Sequence, residues 1–356
     1  METQTIVPAY IGKITDLARK AIEDKIFPGC TIGIISQKEE HLLAFGHQMY
    51  EHSPAININR SVWDISSITK AIVGTYACSM ISDGIISLET KIADVLPIKG
   101  RFVNELKLKH LLSFTITLDT EEDLQKLKAA EIEKIILNSG LKVQPGIEFD
   151  YRNTTSILLG FFIEKIKGTG LWEILEKDFF LPLNMNNTTF HPDTQDKSNI
   201  VPTELVAGKP LRGLVHDETA RLLLPRTVAS AGIFSTLPDL MKFSKMILKR
   251  GEGFLDEKTF NNMTSNQLHD IKNHRYGLSW DKFKLDYCAC SCFSKRALII
   301  TGFTGCSIML DYEKNLCIVI LSNAVYPHRK PGSMYNFRKS VAESIIVCKH
   351  CGLNAD

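Results

Sequence analysis

The sequence predicts an α+β fold in which both chain ends contribute to one antiparallel sheet and the middle of the chain is mostly helical. Two strand hairpins, one near each end, and a long run of helical periodicity between them carry that prediction. The sheet region is placed at residues 1–62 and 226–356, and a mostly helical region carrying the candidate nucleophile at residues 63–225.

Residues 9–25 set Ile11, Ile14, Leu17, Ala21 and Ile22 at helical spacing, and Pro28-Gly29 stops the helix. Cys30-Thr-Ile-Gly-Ile-Ile-Ser36 and His41-Leu-Leu-Ala-Phe45 flank a charged turn, Gln37-Lys-Glu-Glu40, and read as a hairpin. Helices are expected at residues 70–82, 106–112, 121–137, 154–167, 171–181 and 238–248. The short segment Tyr276-Gly-Leu-Ser-Trp280 reads as a strand. Cys306-Ser-Ile-Met-Leu310 and Leu316-Cys-Ile-Val-Ile-Leu321 form the second hairpin around Asp311-Tyr-Glu-Lys-Asn315, and residues 336–348 supply a terminal helix.

With 356 residues, 44% of them hydrophobic, the chain can bury a large core. Its 42 basic and 40 acidic side chains leave +2 with no block of like charge, which gives no footing for nucleic acid. The start, Met1-Glu-Thr-Gln-Thr-Ile-Val-Pro8, lacks a basic stretch followed by an apolar run, and apolar stretches such as 315–326 are interrupted by polar residues. A cytoplasmic protein without a membrane span is expected. Nine cysteines fit a reducing compartment. Cys288, Cys290 and Cys292 alternate, and Cys348-Lys-His-Cys351 adds two thiols and an imidazole. Because C-x-C-x-C on a strand lacks the C-x-x-C geometry of zinc sites, free thiols are expected, with no metal and no cofactor.

The chemistry centres on Trp63-Asp-Ile-Ser-Ser-Ile-Thr-Lys70. Ser67 and Lys70 stand three residues apart on one helical face, so the amine can reach the hydroxyl and, if desolvated, take its proton. Ser139-Gly-Leu-Lys142 and Ser279-Trp-Asp-Lys282 share the spacing, but only Ser67 opens a long apolar helix whose first-turn N–H groups and dipole face the nucleophile. Tyr151-Arg-Asn153 supplies a phenol whose pKa a neighbouring ammonium would lower, making it a proton relay, and an amide able to bind Lys70 or a substrate carbonyl. In Ile300-Thr-Gly-Phe-Thr-Gly305, glycine permits close approach at a strand end. The Phe303 N–H, paired with that of Ser67, is then the expected oxyanion hole, with Thr301 and Gly302 beside it.

These motifs, in this order, resemble the serine β-lactamase and penicillin-binding-protein superfamily over nearly the whole chain, most of all the branch holding class C β-lactamases, family VIII carboxylesterases and DD-peptidase-like hydrolases. Similar segments include Leu108-Lys-His-Leu-Leu112, Gln144-Pro-Gly through Asn153, Phe180-Leu-Pro-Leu-Asn-Met-Asn-Asn-Thr188, Val215-His-Asp-Glu-Thr-Ala220 and Ser230-Ala-Gly-Ile-Phe-Ser-Thr236. The resemblance implies a β-lactamase/transpeptidase-like fold and acyl transfer through an acyl-enzyme. Ser67 would be the nucleophile, Lys70 the base, Tyr151 a shared or alternative proton shuttle, and Asn153 an orienting group. His110, His216 and Asp217 are expected to act as caps and turn ties.

Three departures from the family pattern stand out. Ile300 replaces the usual Lys or His before Thr-Gly, Ser113-Phe-Thr-Ile-Thr-Leu118 replaces the T-H-T-S-G-L segment, and Ser230 replaces a frequent histidine. Loss of the cation at position 300 disfavours substrates bearing a carboxylate, so the expected activity is an esterase acting on a small acyl substrate. A DD-peptidase or β-lactamase-type amide hydrolase, or an inactive relative binding a partner through the same cleft, is the alternative.

Overall fold

The computed structural model describes residues 8–36, 39–51, 53–120, 123–271, 274–282, 293–329 and 333–351. Cys288, Cys290 and Cys292 lie outside them, and no group of metal-binding side chains occurs among the described residues.

The strands are β1 Gly29–Ser36, β2 Glu39–Gly46, β3 Trp63–Asp64, β4 Leu205–Val206, β5 Lys209–Pro210, β6 Phe234–Ser235, β7 Asp281–Lys282, β8 Leu298–Thr301, β9 Ser307–Asp311 and β10 Leu316–Ser322. The α-helices are α1 Ala9–Glu23, α2 Ile68–Ser82, α3 Leu108–Leu112, α4 Ala129–Asn138, α5 Asn153–Lys167, α6 Leu171–Leu175, α7 Glu218–Leu222, α8 Leu237–Leu248, α9 Glu257–Thr264 and α10 Ser333–Cys351. Six strands form one sheet in the order β2-β1-β10-β9-β8-β7, every neighbouring pair antiparallel. Both predicted hairpins are present, joined edge to edge by β1 and β10. The fold is the predicted α+β arrangement, one antiparallel sheet completed by both chain ends.

The central strands are buried throughout because helices cover both faces. Strand alternation sorts the side chains. Ile32, Ile34, Ile318 and Ile320 pack beneath α1 and α10, whereas Val319, Leu321, Ile308 and Ile300 face α2 and α8. Helix α2 has no polar face, and its residues from Ile68 to Met80 are all buried, as expected for a helix running through the core.

Three expectations need correction. Residues 121–137 do not form one helix: Leu124–Lys126 is a single tight turn capped by Asp123, and α4 begins only at Ala129. Helix α6 ends at Leu175 and continues as a wider turn over Glu176–Phe180. The Tyr276–Trp280 segment is a turn, with Ser279 at φ 62°; Tyr276 makes a single bridge to Asp281, and the strand that joins the sheet is Asp281–Lys282. The other two S-x-x-K serines are structural. Ser139 donates to the Ile135 carbonyl at 2.8 Å, and Ser279, 1% exposed, donates its N–H to the Leu112 carbonyl at 2.6 Å.

Candidate active site

The segment before α2 sets the geometry. Ser66 adopts φ 49°, a left-handed conformation uncommon for a residue with a side chain, so its surroundings must hold it. The buried Asp64 carboxylate does so, accepting the Ser66 N–H at 2.8 Å and the His216 N–H at 2.7 Å. Burial pushes the Asp64 carboxyl upward, while its bonds to His216 and Ser66 oppose that shift. The Thr304 hydroxyl donates to the Asp64 carbonyl at 2.8 Å, which ties the turn after β8 to the same point. The nucleophile segment, the 215–217 segment and the 301–306 turn are thus joined around one acid.

Ser67 follows, half-buried, at the N-terminus of α2. The Lys70 ammonium donates to Ser67 Oγ at 3.0 Å and to the Ser230 carbonyl at 2.7 Å. Lys70 is 2% exposed, and burial lowers its pKa from 10.5 to about 8, with Asp217 pulling the other way. At pH 7 roughly a tenth of such an amine is neutral, several hundred times more than for a solvated lysine. The Ser230 backbone, not its side chain, anchors the ammonium, which explains how a serine serves at that position.

Tyr151 lies with its ring centroid 5.3 Å from the Lys70 nitrogen, and its hydroxyl interacts with Ser67. Its pKa moves opposite to the sequence expectation: burial of the hydroxyl end raises it, and the Ser67 contact only partly offsets that. Desolvation, not the neighbouring ammonium, sets the direction of the shift. Phe114, the residue that breaks the T-H-T pattern, packs on Tyr151 at 4.7 Å between ring centroids, and Tyr276 approaches at 6.2 Å. These rings fix the phenol's position.

Asn153 is the first residue of α5 and donates to Asp217 at 2.8 Å. The sequence reading assigned that amide to Lys70 or substrate and treated Asp217 as a turn tie. Asp217 does cap α7 through the Ala220 N–H at 2.8 Å, but its charge also acts on Lys70. Sequence reasoning does not place Asp217 beside the candidate site, and the only signal for it is its position two residues after Val215 in a segment similar to the family's.

Thr301 ends β8 beside Gly302, which lies against the nucleophile segment: a Cβ at Gly302 would stand 2.5 Å from the Ile65 carbonyl oxygen. Only glycine lets the strand end this close. The Phe303 N–H donates to Ser66 Oγ at 3.2 Å, so in this state one of the two expected oxyanion donors is engaged by the chain itself. The Phe303 ring is 60% exposed and stacks on His216 at 5.6 Å. Ile300 is 3% exposed and packs in the core on the α2 side of the sheet, so hydrocarbon stands where the family pattern has a cation. Arg152 pairs with Asp150 at 2.6 Å, Arg296 stands 3.5 Å from Glu313, and Arg329, 5.4 Å over Phe303, is bound by Glu204 and Glu218.

A family model described as Beta-lactamase matches residues 14–343. The chain is 24% identical over 347 residues to the N-acetylmuramyl-L-alanine amidase of Bacillus subtilis (strain 168), covering 83% of this chain and 77% of that protein. It is 25% identical over 307 residues to a putative D-alanyl-D-alanine carboxypeptidase of Escherichia coli (strain K12), covering 75% and 70%. The fold superposes on that of EstCE1, a hydrolase with promiscuous acyltransferase activity, with a TM-score of 0.77 at 18% identity, over 95% of this chain and 98% of that one. A match running from α1 to α10 shows that the chain belongs to the Beta-lactamase family, a family of serine hydrolases.

Proposed function

We propose that this protein is a serine esterase that works through an acyl-enzyme on Ser67. The observation that carries the reading is the buried Lys70 ammonium 3.0 Å from Ser67 Oγ at the start of a core helix. In its neutral fraction Lys70 takes the Ser67 proton as Oγ attacks the substrate carbonyl. The Ser67 N–H and the Phe303 N–H receive the oxyanion, whose oxygen replaces the Ser66 hydroxyl on Phe303. Tyr151, protonated because burial raises its pKa, hands a proton to the leaving alkoxide and recovers one from the ammonium. Water then attacks the ester on Ser67, the same groups acting in reverse, and releases the acid.

Support for an ester over a carboxylate-bearing substrate comes from the walls. Ile300 is aliphatic, Arg329 is engaged by two carboxylates, and exposed Phe303 and Tyr151 offer apolar surface. Turnover of p-nitrophenyl butyrate is expected to exceed that of nitrocefin by at least about tenfold in kcat/KM, a difference of ~1.4 kcal/mol in transition-state binding. Faster nitrocefin hydrolysis would favour the amide-hydrolase reading, toward which the names of the amidase and carboxypeptidase relatives point. The Ser66 contact on Phe303 N–H is the observation that favours an inactive binding scaffold.

The pH profile separates base from bystander. The acid limb of kcat/KM is expected near pH 8, the pKa to which burial lowers Lys70. Asp217 stabilises the ammonium, so Asp217→Asn should lower the Lys70 pKa further and move that limb to lower pH. An upward or absent shift in a folded variant would remove Asp217 from the account.

A further inference from the structure

Behind the turn that packs on Tyr151 lies a second, chemically different cavity. It measures about 500 Å³ and is lined by Arg275, Lys282, Lys295, Arg296, His269 and Tyr312, with further neutral polar residues and no acidic one among the described residues. That volume lies within the range of small-molecule sites. Lys282 forms its floor: it is 5% exposed, and its ammonium donates to the Thr264 carbonyl. The charges of Arg275 and Arg296 act against it, and the charge facing it from the neighbouring turn is Glu313, which stands 3.5 Å from Arg296. A buried ammonium held by a neutral carbonyl and crowded by two guanidinium groups is costly unless an anion completes it.

The geometry points to a binding site for a compact phosphate-bearing anion, and we propose that Lys282, Arg275 and Arg296 hold its phosphate group. Guanidinium groups present paired N–H donors suited to phosphate oxygens, and Lys282 adds a fixed charge beneath them. Burial and the two arginines lower the Lys282 pKa to about 8, and a bound dianion would reverse that effect. Residues 275–282 have two faces. Arg275 and Lys282 line the cavity, while Tyr276 packs on Tyr151 and the Asp281 charge acts on it. The site therefore backs onto the catalytic phenol without being part of the acyl-transfer machinery.

Binding is tested without turnover, by calorimetry on the full chain at constant ionic strength, with inorganic phosphate, glycerol 3-phosphate and glycerol titrated in turn. Saturable binding of either phosphate but not glycerol, weakened about tenfold or more in Arg275→Gln/Arg296→Gln, is the expected result. Both arginine side chains are solvent-facing, so that variant should keep the wild-type Tm, and Lys282→Met gives a second, independent loss. Tighter binding of the ester than of inorganic phosphate would identify a phosphomonoester as the ligand, and equal binding would identify free phosphate as sufficient. Absence of saturable heat with both phosphates, or binding unchanged in the arginine variant, would overturn the proposal.

Discussion

Lys70→Ala is expected to slow acylation by about 10²–10⁴-fold, the contribution of a positioned general base. The stability change should be small by comparison, for a reason visible only in the fold. Lys70 is buried, and the fall of its pKa from 10.5 to about 8 corresponds to about 3 kcal/mol of native-state cost for the charged form, at ~1.36 kcal/mol per pH unit. The sign follows from proton binding: the unfolded chain holds this proton more tightly, so the cost is complete below about pH 8 and fades as pH rises toward 10.5. Against the relief of that cost stands the Ser230 carbonyl, which loses its donor, about 1–3 kcal/mol. Lys70→Met, which keeps most of the side-chain volume, should therefore lie within about 2 kcal/mol of wild type below pH 8 while losing acylation as fully as Lys70→Ala. Stopped-flow acylation and denaturant unfolding separate the two effects. Normal acylation in either folded variant would show that Lys70 is not the base.

Gly302→Ala should be nearly as damaging, although it touches no titratable group. The added methyl would meet the Ile65 carbonyl at 2.5 Å and Ser66 Cβ at 3.3 Å, and a backbone oxygen beside a strained Ser66 cannot step aside. The strand end must retreat, and with it the Phe303 N–H. Loss of one oxyanion donor costs about 10²–10³-fold in kcat, and overpacking at a buried strand end adds about 1–3 kcal/mol of destabilisation. Gly12→Ala is the control: it lies in α1 with nothing within 4 Å of the new methyl, so activity should be unchanged and stability equal or higher. If Gly302→Ala retained full activity, Phe303 would not be an oxyanion donor.

The sheet is legible for local reasons, and so is the choice of Ser67 as the candidate. Short apolar runs bounded by charged turns announce β1, β2, β9 and β10, and the uniformly apolar α2 singles out Ser67 among three serines with the same spacing. What escaped notice depends on partners distant in sequence. Asp217 matters through Asn153, 64 residues away, and Ser66 through Phe303, 237 residues away. The Tyr151 shift runs opposite to expectation because spacing brings an ammonium nearby but does not tell how deeply the hydroxyl is buried. The helix break at residues 123–128 and the turn at 276–280 follow from caps and from packing of Ser279 on Gly74, neither of which leaves a periodic signature.

Intact-mass analysis after fluorophosphonate labelling, wild type beside Ser67→Ala, tests the central claim most directly. A single adduct on the wild-type protein, absent from the folded variant together with p-nitrophenyl butyrate turnover, is the predicted result. An adduct that persists in Ser67→Ala, or a folded wild type that neither labels nor turns over ester, would contradict an activated Ser67 nucleophile and leave the cleft as a binding surface.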